Sequence, residues 1–350
     1  MTIVGRLLQV HHLNRRAPQL AGLLAITALL QFGAALGLAS VAGFDEIHRI
    51  VDRFQWPWMF AILGSIGLSF AGYYYAYQGV YTVEDGDELS PPQMRAVVIA
   101  GFGGFFAHGG TVIDSYAIKA TGAGERDAAT RVATLAGMEH GVLALFGCPA
   151  AIVVLVLGLP APPPDFTLPW SIIPIPGFLL AFWLAERFRD QLRRRRGWRR
   201  RVGIFLDSIH LTRELFRRPF ANAAAPFSMI LFWGAEVFAM WSGLAAFGYH
   251  MNVAQMIVGY STGMVFTRRT GPFAGAGILM CILPATLYYS GAPFAVAVMG
   301  VLLYRFISLW VPLPFSLAGL PILREIGKKG VPHAEAKSEP PEHEPAVGHE

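Results

Sequence analysis

Six long apolar stretches constrain this chain more than any other feature of its sequence. They cover residues 20–43, 56–79, 132–158, 169–185, 226–249 and 293–318. At about 1.5 Å of rise per residue, a helix over each stretch is about long enough to span the hydrocarbon core of a bilayer. Only 15% of the residues are charged, against about 25% in a typical soluble domain. The stretches do not alternate as the strands of a membrane barrel would. They therefore predict an all-α polytopic integral membrane protein.

Arginine is distributed unevenly between the connections, and this predicts an orientation. Residues 186–219 contain twelve arginines, whereas 159–168 and 249–252 contain neither Lys nor Arg. Because Lys and Arg favour cytoplasmic loops, we expect 186–219 and both termini to be cytoplasmic. A multi-pass protein of a bacterial inner membrane has this pattern.

Two glycine-rich segments do not fit a simple succession of crossings. If residues 94–125 crossed once, the arginine-rich loop would lie outside, so we predict a re-entrant hairpin there. Residues 253–290 are either a second hairpin or two short crossings. With two hairpins the chain would have the pattern of an inverted repeat, with a site near the middle of the membrane. In total we expect about six to eight transmembrane helices and one or two re-entrant hairpins.

The domain organisation follows from these assignments. Residues 201–219 place apolar side chains among basic ones and predict an amphipathic helix at the cytoplasmic face. The predicted parts are a cytoplasmic N-terminus (1–19), a first membrane half (20–185), a basic loop with the amphipathic helix (186–224), a second membrane half (225–320) and a disordered cytoplasmic tail (321–350).

Four ionisable residues fall inside the apolar segments. Arg305 lies near the middle of the last stretch, and Asp114, Glu139 and Glu236 are also at depth. Ionisable groups in a membrane are costly and are usually paired. Either a structural ion pair or a contact to a lipid phosphate would explain Arg305. Any of the three carboxylates could neutralise it, with Asp114 and Glu139 as the first candidates.

Aromatic residues mark both ends of the second stretch, with Phe54, Trp56, Trp58 and Phe60 at its start and Tyr73, Tyr74, Tyr75 and Tyr77 at its end. Aromatic side chains concentrate where a membrane meets water. We therefore expect both groups to anchor the span at the two interfaces.

Motifs of soluble enzymes are missing from the sequence. It contains no Walker-type phosphate loop, no Gly-x-Ser-x-Gly and no His-Glu-x-x-His. The two cysteines alone cannot form a metal cluster. We expect no catalytic residue, no metal site, no cofactor and no nucleic-acid partner.

Two blocks of the chain resemble a known membrane family. The first runs Phe106-Ala-His-Gly-Gly-Thr-Val-Ile-Asp114 and continues to Glu139-His140; the second runs Gly271-Pro-Phe-Ala-Gly-Ala-Gly277 and continues to Tyr304-Arg305. Over about residues 20–320 the chain resembles the transmembrane domain of lysylphosphatidylglycerol synthases. The soluble aminoacyl-transfer domain of the bifunctional members has no counterpart in the short tail here. The resemblance implies translocation of a phospholipid or glycolipid between leaflets, without lipid synthesis.

The leading hypothesis is a flippase-like transporter of an anionic phospholipid or glycolipid. Glycines at the hairpins would let the backbone approach a headgroup, arginines would bind its phosphate, and carboxylates would balance charge. The candidate substrate-binding residues are His108, Gly109, Gly110, Asp114, Glu139, Glu236, Arg268, Arg269, Gly275, Gly277 and Arg305.

Other interpretations stay open. The glycines could instead serve only tight helix packing. The protein could also be a non-transporting accessory or scaffold protein for a lipid or glycan biosynthetic enzyme. Membrane lipids are the expected partners, and a homo-oligomer or a membrane enzyme partner is left open.

Overall fold

The computed structural model describes residues 13–84, 89–103, 114–115, 118–119, 123–193, 198–265 and 277–315. Within these ranges the regular structure is entirely helical. The helices are α1 (Leu13–Ala42), α2 (Phe44–Val51), α3 (Pro57–Thr82), α4 (Pro91–Gly103), α5 (Glu125–Val156), α6 (Pro164–Ile172), α7 (Pro174–Arg193), α8 (Trp198–Arg217), α9 (Ala225–Ala245), α10 (Val253–Val265), α11 (Leu279–Tyr289) and α12 (Phe294–Arg305), which a π-helix (Phe306–Trp310) continues.

Five of these helices are long and apolar enough to cross a membrane. They are α1, α3, α5, α9 and α12, the last together with its continuation to Phe315. Each coincides with an apolar stretch of the sequence, so the predicted fold class is confirmed. The chain is an all-α polytopic membrane protein.

The stretch predicted as one span at 169–185 is a broken helix pair. Helices α6 and α7 meet at a bend of 48° around Ile173. Pro174 starts α7 and lacks the N–H that a continuous helix would need, and its ring clashes with the preceding turn. Together the pair is long enough to form a sixth span.

Helices α10 and α11 form an antiparallel hairpin. Gln255 at the start of α10 donates to Ser290 O after the end of α11 at 2.7 Å, while Gly263 packs against Leu283 deeper in the pair. With 13 and 11 residues, the helices are about 20 and 17 Å long, against about 30 Å for a hydrocarbon core. These lengths favour a re-entrant hairpin. Residues 266–276, which connect the two helices in sequence, lie outside the described part of the chain.

The first predicted hairpin is described in part, at both edges and at residues 114–115 and 118–119. Helix α4 occupies its beginning, and α5 starts at Glu125 where the hairpin was predicted to end. The glycine-rich residues 104–113 lie outside the described residues, as do residues 1–12 and the predicted disordered tail.

One end of the bundle, which we call the basic end, is held together by arginines. Arg131 near the start of α5 donates to Val80 O and Tyr81 O at the end of α3, both at 2.8 Å. Asp207 of α8 accepts from Arg126 at 2.7 Å and from Arg189 at 3.1 Å. These contacts place the end of α3, the start of α5 and the α7–α8 connection on the same side of the bundle. We call the opposite side the far end.

The predicted amphipathic helix is α8, and its leucines face the protein while Phe205 is exposed. Leu206, Leu211 and Leu215 are buried, and α8 packs against α5 and α7. The exposed face carries Arg199 and Arg200. The helix therefore turns its leucines to the protein because α5 and α7 leave a surface for them.

Candidate functional site

Glu236 lies at the meeting point of four helices. Its carboxylate accepts hydrogen bonds from Ser69 Oγ of α3 at 2.6 Å and from the Tyr304 hydroxyl of α12. The Tyr260 hydroxyl of α10 lies 3.4 Å from the same carboxylate and 3.0 Å from the Tyr304 hydroxyl. All four side chains are buried. We refer to these residues as the Glu236 cluster.

The Glu236 cluster lies at mid-height in the bundle. Ser69 is twelve residues after the start of α3 and thirteen before its end, since the helix runs from 57 to 82. Glu236 is eleven residues into α9 and nine from its end, since α9 runs from 225 to 245. A buried carboxylate is very costly unless hydrogen bonds compensate it. The hydroxyl donors make this carboxylate tolerable and tie four helices together.

Asp114 forms a second carboxylate cluster, close to the basic end. Its carboxylate accepts from the Tyr77 hydroxyl, and the Tyr81 hydroxyl donates to its backbone carbonyl at 3.4 Å. The two tyrosine rings are stacked 4.8 Å apart. Tyr77 was predicted to anchor the span at a membrane interface, but it is only 1% exposed. That interpretation is wrong for Tyr77, because a buried carboxylate requires its hydroxyl; Tyr75, at 50% exposure, remains available to lipid.

The other candidate residues fall in different places. Arg305 directly follows Tyr304 and interacts electrostatically with Tyr260 and Tyr304, so it belongs beside the Glu236 cluster. Glu139 is buried on α5, and its backbone carbonyl accepts from Trp233 Nε1 at 2.8 Å. The predicted pairing of Arg305 with Asp114 or Glu139 stays a prediction.

Gly277 lies two residues before α11, where a Cβ would meet Leu30 of α1 at 3.7 Å. The remaining candidates lie outside the described residues; they are His108, Gly109, Gly110, Arg268, Arg269 and Gly275.

An apolar groove of about 720 Å³ opens between α5 and α7, and we call it the α5–α7 groove. Small residues of α5 form one wall, and the aromatic side chains Trp170 and Phe178 form part of the other. Thr262 of α10 also lines it and accepts a hydrogen bond from Trp170 Nε1 at 3.0 Å. The groove thus borders the second hairpin.

The groove runs along most of the height of the bundle. At the far end it reaches Asp165 and Phe166 in the first turn of α6, and at the basic end it reaches Ser208 and Thr212 of α8. His140 lines it near mid-height, fifteen residues after the start of α5 and sixteen before its end. Polar groups are therefore present at both ends and in the middle of an apolar channel.

His140 is the groove residue that the sequence analysis did not select. Residues 133, 136, 137, 140 and 144 of α5 are Ala, Ala, Gly, His and Ala, and all of them line the groove. Their spacing places them on one helical face. Glu139, one residue away, points to a different face and is buried. The sequence signal that could have identified His140 is this stripe of small residues. It places His140, and not Glu139, on the face that lines the groove.

The fold and these sites define the class of the protein, a multi-pass α-helical membrane protein with buried carboxylates and a groove along its spans. The chain matches no family model and no curated protein.

Proposed function

We propose that the protein is a flippase-like transporter that moves an anionic phospholipid or glycolipid between the leaflets of a bacterial cytoplasmic membrane. The α5–α7 groove is the observation that carries this proposal. It extends between the two ends of the spans and has polar side chains at both ends and at mid-height. A lipid could keep its acyl chains among the apolar walls while its headgroup follows the polar groups.

The physical difficulty in moving a lipid is its headgroup. A charged group that enters the hydrocarbon core without partners costs many kcal/mol. Within the groove, the His140 ring is the polar group at mid-height, with Nδ1 2.8 Å from Ala136 O. Ser208 and Thr212 add polar oxygens at the basic end, and their hydroxyls donate to Phe205 O and Ser208 O. The small residues Ala136 and Gly137 leave room for a headgroup to pass between these groups.

The predicted arginines would supply the charge. Arg268 and Arg269 follow the end of α10 by three and four residues, and Val265 at that end lines the groove. A guanidinium can bind a phosphate with two parallel hydrogen bonds. We therefore assign phosphate binding to this pair, with Gly275 and Gly277 giving the backbone close access. The carboxylate residues Asp114, Glu139 and Glu236 are buried inside the bundle.

A leaflet-resolved transport assay tests the proposal. The purified chain is reconstituted into vesicles that contain a trace of fluorescent phosphatidylglycerol, and a membrane-impermeant reductant bleaches the outer leaflet, with and without an imposed pH gradient. We expect wild-type protein to expose inner-leaflet lipid to the reductant. Vesicles with protein that behave like empty vesicles under both conditions would contradict transport and favour the accessory role.

A matched pair of variants tests the path. Gly137→Phe places a ring in the groove, where a Cβ has its nearest neighbour at 3.7 Å. Gly37→Phe places the same ring on the exposed face of α1, where a Cβ meets nothing within 4 Å. We expect Gly137→Phe to slow transport about tenfold or more, since each 1.4 kcal/mol of added barrier is tenfold in rate. Gly37→Phe should transport like wild type, and equal rates for both variants would rule out this groove as the path.

A further inference from the structure

A second groove, of about 830 Å³, lies on another face of the bundle, and we call it the α3–α4 groove. It shares no lining residue with the α5–α7 groove. Apolar side chains of α3 and α4, such as Leu63, Phe70 and Val98, form its walls, and Phe315 closes one side. Helix α4 occupies the beginning of the first predicted hairpin.

The α3–α4 groove covers only part of the membrane thickness. Along α3 it extends from Leu63 to Tyr75, which are twelve residues apart, or about 18 Å at the helical rise. Along α3, Leu63 lies six residues from the start at the far end and Tyr75 lies seven residues from the end at the basic end. Pro91 and Arg95, at the start of α4, extend the lining toward the basic end. An acyl chain that enters from the leaflet at the basic end would fill this length. Among the described residues, none of the first six of α3 lines the groove, so the lining stops about 9 Å short of the far end. We therefore do not assign it a transport path.

The charge that lines the described part of the groove is positive and lies at one end of it. Arg95, in the first turns of α4, is the one charged residue among the described residues that line it. Its Nε donates to Pro91 O at 3.3 Å, which uses one of the five N–H groups of the guanidinium. The remaining N–H groups can donate to a phosphate, and the side chain is exposed where headgroups lie. Apolar walls with a single arginine at the headgroup end complement an anionic phospholipid.

We propose that the α3–α4 groove is a binding site for one resident anionic phospholipid of the leaflet at the basic end. Arg95 binds its phosphate, and an acyl chain packs against Leu63, Phe70 and Phe315. The lipid fills the space between α3, α4 and the segment after α12, and so supports the helix at the beginning of the first predicted hairpin. This site does not depend on the transport proposed above.

Lipid binding to the purified full chain tests this site, measured by native mass spectrometry with phosphatidylglycerol and with phosphatidylcholine of the same acyl chains. Both lipids carry a phosphate, but in phosphatidylcholine a quaternary ammonium offsets its charge beside Arg95. We therefore expect one phosphatidylglycerol to bind more tightly than phosphatidylcholine by up to about fivefold, the range of an exposed ion pair. Glycerol phosphate without acyl chains should not compete. Competition by this compound would mean that the site binds free phosphate and that the apolar groove plays no part.

Two variants separate the headgroup from the acyl chain. Arg95→Gln should remove the preference for phosphatidylglycerol and leave the weaker binding of both lipids. Gly67→Phe fills the groove, where a Cβ at Gly67 meets nothing within 4 Å, and should weaken both lipids. The control is Gly64→Phe, one turn away on the same helix, which is equally open but does not line the groove.

The proposal is overturned if Arg95→Gln keeps the preference for phosphatidylglycerol, or if Gly64→Phe weakens binding as much as Gly67→Phe does. Arg95 is a surface residue, so its variant gives a result even if Gly67→Phe does not fold. The transport rate of Arg95→Gln should equal that of wild type. Absent transport with intact phosphatidylglycerol binding would contradict the proposed function and leave this site in place.

Discussion

The contact between α3 and α9 and the groove between α5 and α7 use the same residue type in opposite ways. On α3, a Cβ at Gly72 would lie 2.6 Å from Ser228 O, and one at Gly79 would lie 2.1 Å from Asn222 O. On α5, a Cβ at Gly137 would have its nearest neighbour, Thr212 Oγ1, at 3.7 Å. Glycine therefore permits close backbone contact between α3 and α9, whereas on α5 it leaves an open wall of the groove.

The difference arises from what faces each glycine. Helix α9 runs closely along α3, and the turn before it presses a backbone carbonyl onto Gly79. Helices α6 and α7 cannot follow α5 as one straight helix, because Pro174 bends the pair by 48°. Packing of small residues is the usual role of glycine in membrane helices. In this protein glycine has two roles, close helix packing and the lining of an open groove. The neighbouring helix determines which of the two applies.

Gly79→Ala is expected to have the largest effect on stability. Its Cβ would collide with backbone at Asn222 and with the Ala225 side chain at 2.5 Å, so the helices must separate. We expect a loss of about 3 kcal/mol or more, at the upper end of overpacking effects. Thermal unfolding in detergent, followed by the loss of monodisperse protein, measures it. The control is Gly64→Ala on the same helix, where a Cβ meets nothing; if both variants unfold alike, the close contact is not what requires glycine at 79.

Glu236→Ala is expected to have the next largest effect. It removes the acceptor of Ser69 and Tyr304 in the middle of the α3–α9 contact. Buried donors left without an acceptor cost about 1–3 kcal/mol. Glu214→Ala is the comparison, since Glu214 forms only a surface ion pair with Arg217, worth about 0–1 kcal/mol. The same unfolding assay should find Glu236→Ala much less stable than Glu214→Ala. The reverse order would show that the Glu236 cluster does not stabilise the helix contacts.

Ala223→Gly is expected to have a small effect of opposite sign. Asn222, Ala223 and Ala224 precede α9 with φ of 49°, 53° and 50°, a left-handed conformation that is strained for residues with a Cβ. Glycine at 223 relieves this strain and should stabilise the protein by about 1 kcal/mol. Ala221, with φ of −80°, is the control, and glycine there should destabilise slightly because it adds freedom to the unfolded chain. A stabilised Ala221→Gly together with a destabilised Ala223→Gly would contradict the conformation of this turn.

The sequence predicted the spans well, because apolar length is a local property that any segment shows by itself. It also located the costly carboxylates at 114, 139 and 236. It did not provide their partners, since Ser69 and Glu236 are 167 residues apart and meet only through helix packing. For the same reason Tyr77 was assigned to an interface, although its hydroxyl binds Asp114. The groove could not be foreseen, because it depends on the direction in which α7 leaves the bend.

The most direct test of the account follows the headgroup itself through the α5–α7 groove. Reconstituted protein is irradiated with a phosphatidylglycerol that carries a photoreactive group on its headgroup, and the labelled peptides are identified by mass spectrometry. Mid-height lies about 15 Å from either interface, so a static lipid does not present its headgroup there. We predict adducts near His140 and Phe178 in the groove, and none at Phe238, an exposed residue of α9 two positions from Glu236. Adducts confined to the two ends of the groove, at Phe166 and Phe205, would contradict passage of a headgroup through it.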